Sequence, residues 1–96
     1  MILNMEMNTN LLAKLKLSQP LWNGIQHIFK FDNGFGASVV RHENSYGGTE
    51  GLWEIAVLDK KDNITCETPI TDDVLGWLEW EKVLHILWEI SKLPEV

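Results

Sequence analysis

Three ionisable side chains follow one another where a predicted strand meets a polar loop: Arg41, His42 and Glu43. A histidine oriented by a carboxylate can act as a general base, and an arginine can hold an anion. A small hydrolase centred on His42 is therefore one hypothesis. Consecutive strand residues point to opposite faces, however, so Arg41 and Glu43 share one face while His42 points away. Since no serine or cysteine nucleophile motif accompanies them, we expect no enzyme and keep the hydrolase as an alternative.

A second group with chemical potential is His85, which has Glu81 and Glu89 four residues before and after it. On a helix this spacing offers at most three metal ligands, and no further cluster of histidine or cysteine completes a tetrahedral set. A solvated ladder of charges explains the pattern better. Cys66 is the only cysteine, which excludes an internal disulfide and a zinc site built on several cysteines. We therefore predict no metal and no cofactor.

The loop over residues 42–51, HENSYGGTEG, is better suited to binding another molecule than to catalysis. It is polar, rich in glycine, and contains one aromatic residue, Tyr46, beside the flexible pair Gly47 and Gly48. Together with the acidic C-terminal third, this loop predicts a surface that binds a protein partner. The predicted contact residues are Arg41, Glu43, Tyr46, Glu50, Asp72, Asp73, Glu81 and Trp88.

Size and charge limit the classes of function. Ninety-six residues with 45% hydrophobic content predict one folded domain over residues 1–96. The net charge of −6 is concentrated in residues 67–96, which hold seven acids against two lysines. Such a field repels phosphate backbones, so we expect no direct nucleic-acid binding and favour a basic protein surface as partner. No apolar run is long enough to span a membrane and no signal peptide is recognisable, which predicts a cytoplasmic protein.

The elements that position these residues begin with a hairpin. Strands over residues 25–32 and 35–42 flank Asn33-Gly34, the sequence that most favours a two-residue type I′ turn. This turn sets the register and thereby the two faces of the hairpin. The predicted core face carries Ile25, His27, Phe29, Phe31, Gly36, Ser38, Val40 and His42.

Further strands over residues 52–59 and 64–67, joined by a short turn, extend the hairpin into an antiparallel meander spanning residues 25–67. Residues 1–20 fit two interpretations: a short helix over residues 10–17, or a strand around residues 15–17. Gln19-Pro20 is expected to end either one. We therefore predict a sheet of three to four strands.

A helical region is predicted over residues 71–93. Thr71 is a suitable N-cap, and the acids that follow it suit the positive end of a helix dipole. A short helix should bend near Trp80 into a longer amphipathic helix that packs on the sheet, which makes the fold class α+β. The apolar residues of the longer helix cover a wider arc than is needed to pack against one sheet. The surplus edge, formed by Trp80, Leu84 and Trp88, makes a homodimer an open alternative.

Two stretches, FDNGFGASVVRHENSYGGTEGLWEIAVLD and ITCETPITDDVLGWL, resemble a family of small proteins of unknown function encoded by bacteriophages and prophages. The resemblance covers residues 31–78. It implies a phage origin and no assigned activity. Acidic phage proteins of this size that lack a catalytic set are often inhibitors of host machinery, and anti-CRISPR proteins are the best-known class.

The leading hypothesis is thus a small acidic phage-type protein that binds a host protein without catalysis. It would inhibit a bacterial defence system by occluding a basic or nucleic-acid-binding surface, for example that of a defence nuclease or effector. The alternative from a different class is a phage structural or assembly protein that self-associates.

Overall fold

The computed structural model describes residues 10–71 and 73–95 and shows a five-stranded antiparallel sheet with one helix across a face. The strands lie in chain order, β1-β2-β3-β4-β5, as short connections favour. The predicted α+β class is confirmed, with five strands rather than three or four. The elements are β1 (Leu15–Leu21), β2 (Gly24–Lys30), β3 (Gly36–Arg41), a short 3-10 helix (Gly48–Glu50), β4 (Trp53–Leu58), β5 (Leu75–Leu78) and the C-terminal helix (Trp80–Ser91).

The predicted amphipathic helix is confirmed, and it ends at Ser91 rather than at residue 93. Its apolar stripe packs on the central strands and forms the core of the molecule. Phe29, Ile55 and Leu87 are among the residues almost completely removed from solvent. Burying a side chain of this size stabilises the fold by roughly 1.5–3 kcal/mol. Within the described residues, no helix has the length and apolar character needed to cross a membrane.

The β2–β3 turn differs from the predicted two-residue turn. Gly34 N–H donates to the Phe31 carbonyl at 3.1 Å, and Phe31 N–H donates to the Phe35 carbonyl at 2.8 Å. Gly34 has a φ of 94°. This is the pattern of a three-residue loop with a left-handed glycine at its third position. Asn33 favours it, because its Oδ1 accepts a hydrogen bond from Phe35 N–H at 3.0 Å.

One extra loop residue shifts the register, so the predicted core face is wrong for β3. Phe29 pairs with Ala37 instead of Ser38. Because side chains alternate along a strand, a shift of one residue exchanges the two faces of β3. Ala37 and Val39 therefore face the helix and are fully buried. The assignment for β2 was correct, and Phe29 and Phe31 lie in the core.

The first hairpin was not predicted. β1 and β2 are joined by Trp22 and Asn23, with φ values of 42° and 60°, as a type I′ turn requires at both central positions. Pro20 lies inside β1 rather than ending it, so that prediction was wrong. An edge strand tolerates proline because one of its sides has no hydrogen-bonding neighbour. Of the two N-terminal interpretations, the strand is confirmed, and only residues 10–12 are helical within the predicted helix.

The predicted short helix is wrong, because residues 75–78 form strand β5. Thr71 Oγ1 accepts a hydrogen bond from Asp73 N–H at 3.1 Å, as an N-cap would, but no helix follows. Pairing with β4 outweighs a weak helical pattern that contains Gly76. The predicted strand over residues 64–67 is reduced to a single bridge between Ile64 and Leu58.

The sheet has two chemically different ends. We call the end where β1 and β3 finish and β4 starts the loop end; it carries the β1–β2 turn, the loop over residues 42–52 and the helix N-terminus. The opposite end, with the β2–β3 turn and residues 59–63, is the turn end. Three ion pairs lie there: Lys14–Asp32, Lys16–Asp62 and Lys30–Asp62.

Candidate functional site

An aromatic cluster at the loop end holds the single arginine of the chain. The Arg41 guanidinium carbon lies 4.5 Å from the centroid of the Trp53 ring. Trp53 is itself held by Trp80 and His27, whose ring centroids are 5.1 and 5.5 Å away. Trp53 and His27 share the helix-covered face of the sheet with Arg41 because the observed register places all three there. A cation stacked on an aromatic face is stabilised and loses conformational freedom.

His27 contacts a hydroxyl on the neighbouring strand, and its Nδ1 lies 2.6 Å from Ser18 Oγ. Burial, with a smaller contribution from the Arg41 charge, lowers the pKa of His27 below its ordinary value of 6.5. A serine and a neutral histidine at this distance resemble a nucleophile and its base. Among the described residues, however, no carboxylate forms an ion pair with His27 to orient its ring. We interpret the contact as cross-strand packing between β1 and β2.

His42 shapes the loop rather than facing it. Its side chain is 8% exposed, and Nδ1 accepts a hydrogen bond from Asn44 N–H at 3.1 Å. Ser45 Oγ contacts the backbone of His42, accepting from N–H at 3.0 Å and donating to the carbonyl at 2.9 Å. Glu43 is bound by the Asn23 amide at 3.1 Å. These contacts do not form the pair of base and nucleophile that the hydrolase alternative requires.

Three large aromatic side chains are exposed at the loop end. Trp22, Tyr46 and Trp77 show 60%, 59% and 61% of their surface to solvent. Trp77 N–H donates to the Tyr46 carbonyl at 3.1 Å, which ties the end of β5 to the bend of the loop. Gly76 makes this approach possible, because a Cβ there would lie 2.4 Å from the Tyr46 Cβ. Trp77 has a φ of 56°, a left-handed backbone conformation that residues other than glycine rarely adopt.

Exposed carboxylates surround these aromatic residues. Glu43, Glu50, Glu79 and Glu81 are exposed, and none of them forms an ion pair within the described ranges. By contrast, most of the lysines lie at the turn end or beside it, where three of them pair with aspartates. The loop end is therefore acidic and rich in aromatic side chains.

The predicted contact residues fall into three groups. Arg41, Glu43, Tyr46 and Glu50 come together at the loop end, and Glu81 lies there in the first turn of the helix. Asp73 is exposed in the segment before β5, and Asp72 lies outside the described residues. Trp88 is far from the others.

Trp88 does not belong to the loop end. It is partly buried against the core near the C-terminal end of the helix, with Lys92 Nζ 5.8 Å from its ring centroid. Trp88 therefore lies apart from the loop residues with which it was predicted to form one surface. The reason is that the helix runs away from the loop end, so only its first turn reaches that surface.

Sequence reasoning missed two exposed residues of this surface, Trp22 and Trp77. Trp22 precedes Asn23 and Gly24, which are typical of a tight turn and are the signal that could have identified it. Trp77 lies in the segment for which the sequence predicts a short helix, and that helix does not form. In each case a missed strand or turn hid a side chain that the fold exposes.

Metal binding has no support among the described residues, where no group of three histidine, cysteine, aspartate or glutamate side chains is arranged to hold an ion. No protein-family model matches the chain, and comparisons with curated proteins and with solved structures find no match either. The interpretation of the loop end therefore depends on its geometry and charge.

Proposed function

We propose that this chain is a small binding protein that engages a protein partner through the loop end, without catalysis. The supporting observation is that three large aromatic side chains, Trp22, Tyr46 and Trp77, are exposed at one end of the sheet. Tryptophan and tyrosine supply much of the energy at protein interfaces because they bury a large area with few rotatable bonds. Several such residues exposed to water at one end of a domain favour an interaction site there.

Charge supports a basic partner surface. The carboxylates around the aromatic patch have no internal cationic partner among the described residues, so they are available to lysine and arginine side chains of another protein. Complementary charge mainly increases the association rate and the specificity. The negative charge of these carboxylates also disfavours direct contact with nucleic acid.

The more specific form of the proposal is a phage-encoded inhibitor of a bacterial defence system that acts in the cytoplasm of the host cell. Its support is the sequence resemblance to small phage proteins, together with the net charge of −6. Covering a basic or nucleic-acid-binding surface of a defence nuclease or effector needs stable binding and no chemistry. This would be an anti-CRISPR-like mode of action.

An affinity pull-down tests the proposal. The tagged chain is incubated with lysate of a bacterium that carries active phage defences, and retained proteins are identified by mass spectrometry. We expect one near-stoichiometric host protein with a basic surface, and its loss with Trp77→Gly. Ile64→Ala is the matched control, since Ile64 is equally exposed at 60% but lies at the turn end. Equal retention by both variants would contradict the assignment of the loop end.

Self-association in phage assembly is the second candidate, and one observation favours it. The face of the sheet opposite the helix carries a cleft of about 370 Å³ in which the apolar Leu17, Ile28 and Ile64 lie beside polar and charged side chains. The edge predicted earlier for self-association is instead packed on the core, with Leu84 buried. Light scattering separates the candidates: a mass of 11.0 kDa supports a foreign partner, and a stable dimer that Ile64→Lys dissociates supports assembly.

A further inference from the structure

We propose that Arg41 is a preorganised anchor for a carboxylate, and that it receives an aspartate or glutamate side chain of the protein partner. The inference rests on the proposed function and adds the chemistry of one contact to it. Two roles are open to Arg41: an ion pair with an acid of its own chain, or a contact with a partner. The structure separates these two roles.

The Arg41 guanidinium lies against an aromatic ring. Its carbon is 4.5 Å from the centroid of Trp53, whose ring is buried and packed against Trp80 and His27. A guanidinium held over an aromatic ring still has N–H groups available for hydrogen bonds. Because the ring contact restricts the conformations of the side chain, a ligand that it binds causes a smaller loss of side-chain entropy.

The carboxylates near Arg41 accept hydrogen bonds from neutral donors and form no ion pair with the guanidinium. Glu43 accepts a hydrogen bond from the Asn23 amide at 3.1 Å, and Glu54 accepts one from Tyr46 N–H at 3.0 Å. In the part of the chain that the structure describes, Arg41 has no ion pair within 4.0 Å. An exposed guanidinium that lies over an aromatic ring and has no carboxylate partner among the described residues of an acidic protein points to a carboxylate supplied by another molecule.

The charges around Arg41 favour a single carboxylate over other anions. Arg41 and Glu43 line the same open cleft of about 420 Å³ at the loop end, together with polar Asn23 and Thr49. A phosphate group or a polyanion would be repelled by Glu43 and by the other exposed acids of this end. A single carboxylate on an otherwise basic surface meets Arg41 while its basic neighbours meet those acids. The partner surface is thus mixed, with an acidic residue at its centre.

Titration by nuclear magnetic resonance tests the anchor on the free chain. The probes are the blocked peptide acetyl-Gly-Asp-Gly-amide, its neutral Asn counterpart and inorganic phosphate, at constant ionic strength. The reporters are the Arg41 side-chain Nε–H and the Trp53 indole N–H. We expect saturable shifts with the Asp peptide alone, and at least about a tenfold weaker response in Arg41→Lys, which keeps the charge but loses the planar fork.

Three results would overturn the anchor: equal shifts with the Asn peptide, a stronger response to phosphate, or an unchanged response in Arg41→Lys. Failure of the anchor is distinct from failure of the proposed function. If the Asp peptide has no effect while Trp77→Gly still abolishes capture of a host protein, the anchor is wrong and the binding surface stands. If the Asp peptide binds but no host protein is captured, the anchor is supported and the proposed function is contradicted.

Discussion

At the scale of single residues, the unusual feature is the left-handed conformation of two tryptophans. Trp22 and Trp77 have φ values of 42° and 56°. A side chain in this region costs roughly 1–2 kcal/mol, because its Cβ approaches the following carbonyl oxygen. Trp77 is held there by the hydrogen bond to Tyr46 and by close contact with Gly47. A strained backbone that presents an exposed ring does not stabilise the fold, and this favours a role of the ring in binding.

The strain at Trp77 can be tested by replacing this residue with glycine or with alanine. We expect Trp77→Gly to have a free energy of unfolding roughly 1 kcal/mol higher than that of Trp77→Ala, because only glycine relieves the left-handed strain. Both variants lose the same exposed ring, so the comparison isolates the backbone. Urea denaturation monitored by circular dichroism measures the difference. Equal midpoints for the two variants would show that the strain is absent.

His27 should make stability depend on pH. Its pKa is lowered by burial and by Arg41, so the unfolded chain binds a proton at a higher pH than the folded chain does. The free energy of unfolding is thus unaffected by His27 above pH 6.5, and falls as the pH drops from 6.5 towards the lowered pKa. We expect His27→Gln to remove this part of the acid destabilisation. Denaturation series between neutral and mildly acidic pH, for wild type and variant, would refute this if the two curves stay parallel.

At the scale of elements, Asn33 connects the β2–β3 turn to the end of the helix. Its Nδ2 donates to the carbonyls of Ile90 at 2.8 Å and Leu93 at 3.0 Å. The last carbonyls of a helix lack partners within it, so an external donor stabilises that end. The same side chain orders its own loop by accepting a hydrogen bond from Phe35 N–H. One amide therefore sets the hairpin register and positions the helix over the core.

Removing this amide should be costly. We expect Asn33→Ala to lower the free energy of unfolding by roughly 2–3 kcal/mol, since three partly buried hydrogen bonds are lost. The Ile90 carbonyl keeps its hydrogen bond from Leu93 N–H, whereas the Leu93 carbonyl loses the donor that Asn33 provides. Asn63→Ala is the matched control: this asparagine is exposed in the turn after β4, and only its backbone makes the hydrogen bonds found there. Chemical denaturation compares the two. A similar small effect in both would mean that the helix does not depend on Asn33.

At the scale of the whole molecule, both edges of the sheet discourage strand pairing with another chain. β1 contains Lys16, Pro20 and an irregular register between Leu15 and Leu17. β5 has four residues and includes left-handed Trp77. Charges, prolines, bulges and short length are the usual devices that protect an edge strand. The exposed aromatic side chains of the loop end are not shielded by comparable features, which suits a surface that binds a foreign partner.

We expect the purified chain to be a monomer of 11.0 kDa by light scattering. The double variant Lys16→Thr, Pro20→Val removes the charge and the proline from the β1 edge. We expect this variant to associate increasingly as its concentration rises, because the edge then presents uninterrupted hydrogen-bonding groups. The single change Gln19→Thr on the same strand is the control and should stay monomeric. A wild-type dimer would contradict this expectation and favour the assembly candidate.

Much of the fold and part of the site follow from local sequence. The 3.6-residue apolar period of residues 80–93 predicted the helix, and the apolar runs around Phe29, Val39 and Ile55 predicted three central strands. Arg41, Glu43, Tyr46 and Glu50 lie at one end of the sheet because they adjoin one loop, so their proximity depends on chain connectivity alone. Signals of this kind act over a few residues and need no tertiary contact.

Only the tertiary structure decided the rest. Asn33-Gly34 is compatible with a two- or three-residue loop, and the hydrogen bonds from Asn33 to the helix end select the longer one. Residues 75–78 became a strand because β4 offered an open edge, which outweighs a weak helical preference. The same pairing brought Trp77 beside Tyr46 and completed the exposed aromatic surface. Long-range hydrogen bonding is absent from any local pattern, and it is what determined these features.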